Sequence, residues 1–253
     1  VNFSESNDRR ISFIANQLYE IHKNLKKYNG GLLIFHGTPT EIFNHLISKI
    51  DISQVFASED FEPDTIKRDH EINNLLKKYN SDLVLVLDHL IKHPNNILKE
   101  DQTPFKVYTP FSKEWKKNLI KFDYLEHKVD LSERLINFSD ITEKLNEIEI
   151  LDIDKGPKYI VEKIGYNYQD VANLWPVNVG QKRLREFVDK KLIYYKEDRD
   201  RLDLDGTSCL SPYLRFGLIS IRECLRAVES HNNSGSETWL NELVWREFYA
   251  TIL

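Results

Sequence analysis

Residues 239–253 read WLNELVWREFYATIL, an apolar stretch that also holds a second tryptophan, a tyrosine, an arginine and glutamates. At about 100° per residue a helix places Trp239, Glu242, Trp245, Arg246 and Tyr249 within one arc of about 120°. Leu240, Leu243, Val244 and Phe248 fall on the arc opposite, shared only with Glu247. Both sides of this helix are therefore covered, which sets it inside a domain of packed helices. The aliphatic side is core. Glutamate and arginine beside two indoles are costly to bury unless they are paired or face a polar cavity. Two readings of that face stand together. Flat indoles stack on rings, a carboxylate accepts from ring N–H groups and arginine binds phosphate, so the face suits a nucleobase or similar heterocycle. The other reading is ordinary aromatic packing, with Glu242 and Arg246 as an i, i+4 ion pair.

The helical pattern extends upstream. After "WPVNVG" the stripe Leu184, Phe187, Val188 and Leu192 predicts one helix, and "SIRE", Ser220 to Glu223, predicts a capping box that starts another. Between them lies the charged loop "YYKEDRDRLDLDGTSCLSPYLRFG", Tyr194 to Gly217. It passes through Gly206 into Thr207 and Ser208, with Ser211 and Pro212 near the start of a helix. Backbone N–H groups freed at a helix start, joined by hydroxyls, make a site for a phosphate or diphosphate. The same residue types are the preferred caps, so plain capping stays open as the alternative.

Toward the amino end the pattern alternates. Ile11, Ile14, Leu18, Ile21 and Leu25 form one helical stripe that ends at "NGG", residues 29–31. "LLIF", Leu32 to Phe35, reads as a buried strand. Thr38 and Pro39 are an N-cap and first-turn signal for the amphipathic "EIFNHLISKI". "VFA", Val55 to Ala57, is a short strand; Pro63 to Tyr79 is helical with Ile66, Ile72, Leu75 and Leu76 inward; "LVLVL", Leu83 to Leu87, is an unbroken apolar strand. Such alternation predicts a parallel sheet covered on both faces. No GxGxxG follows the first visible strand, so the sheet lacks a dinucleotide fingerprint. From about residue 110 to 170 the sequence is charged and turn-rich, as a connector with a few short helices would be.

Composition limits the partners. Of 253 residues, 41% are apolar and 30% charged, and no apolar run approaches the roughly 20 residues that span a bilayer, so no membrane is expected. A net charge of -5 confines any polyanion site to a local groove. Cys209 and Cys224 have neither CxxC nor zinc spacing, which points to a reducing, cytoplasmic setting with no metal. The chain has no methionine and stops inside an uncapped helical pattern, the features expected of a fragment.

"DGTSCLSPYLRFGLIS" (205–220) and "WLNELVWREFY" (239–249), in that order and spacing, resemble the flavin-binding stretch and following helix of the photolyase and cryptochrome family. The pattern is nearest to bacterial cyclobutane pyrimidine dimer photolyases. "RRISFI" to "LVLVL" is similar to the family's N-terminal α/β domain, and "TPFKVYTPFSKEW" to its last strand and exit. The resemblance implies a Rossmann-like α/β domain over residues 1–110, lacking its first strand or two. A connector over 111–170 and the first part of an all-α FAD-binding domain over 171–253 follow.

The resemblance also implies FAD in a folded form, and UV-damaged DNA with its pyrimidine dimer flipped out as the partner of a monomer. Tyr195, Thr207, Ser208, Leu210 and Ser211 match contacts to the flavin diphosphate, and Trp239 matches a flavin-contacting tryptophan. Cys209 lies in the same stretch where the family usually has arginine. Arg199, Glu242, Trp245, Arg246 and Tyr249 match DNA and lesion contacts, with Trp245 stacking on the pyrimidines and Glu242 bonding their edges. The implied activity is light-driven splitting of the dimer by an electron from reduced FAD, with Glu242 and Trp245 as catalytic residues. Many relatives also hold an antenna, a methenyltetrahydrofolate or a deazaflavin. Here "FEPDTIKRD" (61–69) lies in the antenna region, but Asp64 and Thr65 do not match the folate-binding Asn-Glu pair. Two alternatives accompany repair: a cryptochrome-type light sensor, and an inactive piece lacking the later helices of the flavin pocket.

Overall fold

Asp8 opens the first helix, α1 (Arg9–Lys26), by accepting the backbone N–H of Arg10 at 2.8 Å. The helix leaves through Asn29, whose φ of 59° is the left-handed conformation that asparagine tolerates, and Gly30 N–H returns to the Leu25 carbonyl. The computed structural model describes residues 5–145 and 147–252. Leu253, the last residue of the expected helix, lies outside them.

The strand expected at Leu32–Phe35 does not form. Ile34 makes a single antiparallel bridge with Leu151, while the Leu32 N–H is taken by Nδ1 of the fully buried His22 at 3.0 Å. With that donor spent on a side chain, no ladder can propagate through Leu32. Next comes α2 (Pro39–Lys49), which carries the expected cap. Thr38 and Glu41 exchange hydrogen bonds in a capping box, and Pro39 sits in the first turn.

The strands β1 (Gln54–Ser58) and β2 (Asp82–Val86) flank α3 (Pro63–Lys77) and pair in parallel. Asp82 N–H donates to Ser53 O at one end and Glu59 N–H to Val86 O at the other. The sheet is not covered on both faces as expected. β1 alternates exposed with half-buried residues, and Phe56, Leu85 and Val86 are exposed. Ile72, Leu75 and Leu76 of α3 are buried, but Ile66 is exposed, because six residues of helix place it about 120° away from Ile72.

Short helices fill the connector: α4 (Tyr108–Asn118), a 3₁₀ turn at Lys121–Tyr124, α5 (Phe138–Lys144), a 3₁₀ turn at Ile153–Lys155 and α6 (Pro157–Lys163). The remainder is helical: α7 (Gly180–Lys190), a 3₁₀ turn at Leu192–Tyr194, α8 (Tyr195–Asp198), α9 (Ser211–Arg215), α10 (Ile221–Glu229) and α11 (Ser234–Ala250). Ser220 caps α10 by accepting from Arg222 N–H, one residue short of the expected box.

The chain packs as two units. The first comprises the described residues of Val1–Val55, Lys67–Leu83 and Lys128–Asn178. Here α1 packs on α6 and the Ile153–Lys155 turn, joining Ile11, Ala15 and Val161 in one cluster and Leu151, Ile153 and Ile160 in another. The second comprises Phe56–Ile66, Val84–His127 and Val179–Leu253, in its described residues. Its centre is α11, which packs on α4, α8, α10 and the Leu192–Tyr194 turn.

Two contacts fix α11. Gly235 lies so close to Leu192 that a Cβ would stand 1.8 Å from the Leu192 carbonyl oxygen. Glu247, 2% exposed, accepts the N–H groups of Ile91 (2.9 Å), Lys92 (3.0 Å) and the Trp115 indole (3.2 Å). Burial raises the Glu247 carboxyl above its ordinary 4.5, against the lowering effect of these donors and of Arg246.

Gly235→Ala is expected to cost about 1–3 kcal/mol of stability, measured by urea unfolding, because a backbone oxygen cannot yield as a side chain can. Glu247→Ala is expected to cost about 3 kcal/mol by stranding three donors, and Glu247→Gln less, since one oxygen can keep them. Since the folded-state value of Glu247 is raised, its contribution is full below pH 4.5 and falls as pH rises through the folded value. Unfolding free energies measured across that range should therefore show wild type losing stability relative to Glu247→Gln as pH rises.

Candidate functional site

The rotation of α11 about its axis decides what it presents. With Glu247 locked inward, helix geometry puts Glu242, Trp245 and Tyr249 about 140–160° away, on the far side. Trp239 and Arg246 fall only about 80–100° from Glu247, on the flank. The aromatic arc read from sequence is thereby divided in two.

The flank is packed. Trp239, 3% exposed, lies against Phe187 of α7 with ring centroids 4.9 Å apart, and Phe187 meets Tyr195 edge-on at 5.4 Å. Arg246 donates to the His89 carbonyl rather than joining Glu242 as the i, i+4 pair. Burial lowers the pKa of Arg246, with Glu247 the main opposing charge. His89 in turn is pushed below the ordinary imidazole value by burial and then by Arg246.

The far side is polar and aromatic together. Arg199, at the end of α8, donates to Glu242 at 2.5 Å, and both side chains are about a third exposed. This bond raises the Arg199 pKa further, so its charge is fixed. The guanidinium also stands 5.8 Å from the centre of the Tyr195 ring, whose phenol is pushed up by burial and then by the Glu242 charge. Trp245 stacks on Tyr108, centroids 3.7 Å apart and planes 4° from parallel, and Tyr249 lies 5.6 Å from Trp245 at 28°. The arrangement offers a flat ring, a carboxylate and a guanidinium within one wall. Those groups can stack, accept and neutralise.

The hydroxyl-rich loop reaches α9 by a tight reversal. A Cβ on Gly206 would lie 2.8 Å from Cβ and 2.9 Å from O of Asp198, so only glycine lets the loop close against the end of α8. Cys209 has a φ of 50°, a left-handed turn that leaves its thiol exposed and places Leu210 in the core. Leu210 stands at the N-cap, and no side-chain bond caps this helix. Thr207 and Ser211 are exposed, Ser208 is half-buried, and Thr207 Oγ1 lies 3.5 Å from Cys209 Sγ. Thr207, Ser208 and Ser211 thus stand in the segment that leads into α9, where Ser211 carries a backbone N–H and Pro212 carries none.

Two residues of this region escaped the sequence reading. Glu247 carried a signal, since it was the one charge on the aliphatic arc. Tyr108 carried none. Its partner Trp245 lies far along the chain, and its own segment resembled only a strand exit. Among the described residues no helix is long and apolar enough to cross a membrane, and no three His, Cys, Asp or Glu side chains gather as a metal site.

Comparison with known proteins covers both units. The deoxyribodipyrimidine photo-lyase of a Synechococcus strain is 29% identical over 252 residues, covering 95% of this chain and 50% of its own. That of Alkalihalophilus pseudofirmus is 30% identical over 243 residues, covering 91% and 46%. The chain spans about half the length of these curated relatives. A class III photolyase from Agrobacterium tumefaciens has the same fold over 100% of this chain and 51% of its own, with a TM-score of 0.76 at 21% identity. The DNA photolyase family model matches residues 2–130, and with half of its length under that model the chain belongs to the DNA photolyase family.

Proposed function

We propose that this chain carries the lesion-receiving wall of a protein that splits cyclobutane pyrimidine dimers in DNA in the light, with FAD as its cofactor. The observation that carries the reading is the wall itself: Glu242, Trp245 and Tyr249 opposite the Glu247 anchor, with Arg199 on Glu242. In this reading Trp245 stacks on the extruded pyrimidines and Glu242 accepts their N–H edges. A carboxylate at that place also favours the orientation in which the dimer edge faces inward. Arg199 takes a DNA phosphate, Tyr249 borders the strand, and Arg246 adds positive charge from the flank.

Thr207, Ser208 and Ser211 would hold the FAD diphosphate through their hydroxyls, joined by the Ser211 N–H at the start of α9, and Cys209 and Leu210 would contribute backbone groups. The donor set fits a dianion. Tyr195 and Trp239 would support the cofactor from the packed flank beside Phe187. When bound, FAD supplies the light-driven electron that opens the cyclobutane ring. The protein's own share is to bind, orient and desolvate the dimer against Trp245 while Glu242 holds its edge.

Two measurements test this. In the dark, the chain is expected to bind an oligothymidylate carrying one dimer more tightly than the undamaged strand. Glu242→Ala should reduce that preference about tenfold or more, as loss of a charge-assisted bond of about 1.5–3 kcal/mol requires. In blue light with reduced FAD, dimers should be consumed, read as regained thymine absorbance, with Glu242→Ala lowering yield more than FAD content. Bound FAD with no dimer preference and no dimer loss would replace repair with the light-sensing reading. Equal losses of FAD and repair would make Glu242 structural.

A further inference from the structure

The close stack on Trp245 is not made by its own helix. Tyr108 opens α4, and its ring lies flat on one face of the indole, at 3.7 Å and 4°. Its hydroxyl donates to the Asn241 carbonyl at 2.9 Å. In an α-helix that carbonyl also receives the N–H of residue 245, four positions on. Tyr108 therefore grips the Trp245 turn twice, by the ring and by the backbone that carries it. Burial pushes the Tyr108 phenol up, and the Ser112 hydroxyl one turn along α4 acts in the opposite direction. Phe248 closes the edge of both rings, 6.0 Å from Tyr108 and 5.7 Å from Trp245, in T-shaped contacts.

A free indole loses rotamer freedom when it stacks on a ligand, and that loss weakens binding. An indole already clamped has lost it on folding. With one face occupied by Tyr108, a ligand ring must use the rest of the half-buried indole, beside Tyr249, which lies offset at 5.6 Å and 28°, so the clamp sets both the plane and the side of approach.

We propose that Tyr108 is a positioning residue for base recognition, backing Trp245 so that its remaining face is held ready to stack a base extruded from DNA. The proposal rests on the reading of Trp245 as a base platform. It assigns Tyr108 no contact with the nucleic acid.

The test is an anisotropy titration, in the dark, of the full chain with a fluorescein-labelled oligothymidylate carrying one cyclobutane dimer. Tyr108→Leu is expected to weaken binding about tenfold and Trp245→Leu at least as much, the scale of one lost base–aromatic stack. Tyr108→Phe, which keeps the ring, should stay within about threefold of wild type, and the double Leu variant should be no weaker than Trp245→Leu alone, within about twofold. Near-UV circular dichroism supplies a signature of the ring pair. Its band should vanish alike in Tyr108→Leu and Trp245→Leu and persist in Tyr108→Phe. Should Tyr108→Leu not fold, Tyr108→Met fills similar space without a flat ring and replaces it. Wild-type affinity in the Tyr108 variants alongside weak binding by Trp245→Leu would overturn the positioning role and leave the platform standing. Additive losses in the double variant would overturn it as well. Unchanged affinity in Trp245→Leu would overturn the platform reading itself.

Discussion

A single buried carboxylate sets the geometry of the helical unit. Glu247 is enclosed among Leu240, Leu243, Val244 and Phe248 on the inner side of α11, yet it is satisfied by two backbone N–H groups and one indole N–H. Aliphatic packing alone holds a helix against its neighbours but tolerates some rotation, because dispersion contacts are non-directional. Hydrogen bonds to a carboxylate fix the angle. Since the donors belong to residues 91 and 92 and to Trp115 of α4, the same bonds also place the last turns of α4 beside α11. Polar specificity is here built into the side of the helix where composition alone would put only oil.

That fixed angle explains how one helix carries both a core side and the candidate site. Turning α11 by one residue's worth, about 100°, would carry Glu242 toward the flank and Arg246 toward the far side. The observed rotation keeps the Glu242 carboxylate and the Arg199 guanidinium in contact and partly solvated. Neither charge bears a full desolvation penalty, and each remains available to exchange its partner. A dimer edge offering N–H groups and a strand offering phosphates would supply new partners for both. Trp239, on the flank, is instead committed to Phe187 and the packing of α7.

The sequence was legible where local rules act alone. The helix α1, the Thr38 cap, the two strands and the angular sorting of α11 all follow from periodicity and capping, which depend on near neighbours in the chain. The face α1 buries was not legible, since of the stripe Ile11, Ile14, Leu18, Ile21 and Leu25 only Ile11 is buried and Ile21 is exposed, while Phe13, Ala15 and His22 lie inside. It was least legible where a distant residue competes for a local group. His22 takes the Leu32 N–H, so "LLIF" makes a bridge and not a strand. Ile66 looked apolar enough to be core, but its angle on α3 puts it outside. In the site, residue identity and arc were readable. The split between Trp239 with Arg246 and Glu242 with Trp245 and Tyr249 was not, because the direction of the core is set by Glu247's donors elsewhere in the chain.

The position of Tyr108 shows why such a wall needs support from outside its own helix. Trp245 stands about 160° from the anchor, the place on α11 where the core can restrain a side chain least. An indole there would be free to change rotamer, and a platform that moves selects no plane. Phe248, about 60° nearer the core than Trp245, restrains only its edge. The close face-to-face restraint comes from a neighbouring element, since Tyr249 on the same helix lies 5.6 Å off at 28°, and α4 is already held beside α11 by the bonds that Trp115 and Tyr108 make to Glu247 and Asn241. The buried carboxylate and the stacked tyrosine thus act as two ends of one clamp. One fixes the helix, and the other fixes the ring that the helix presents.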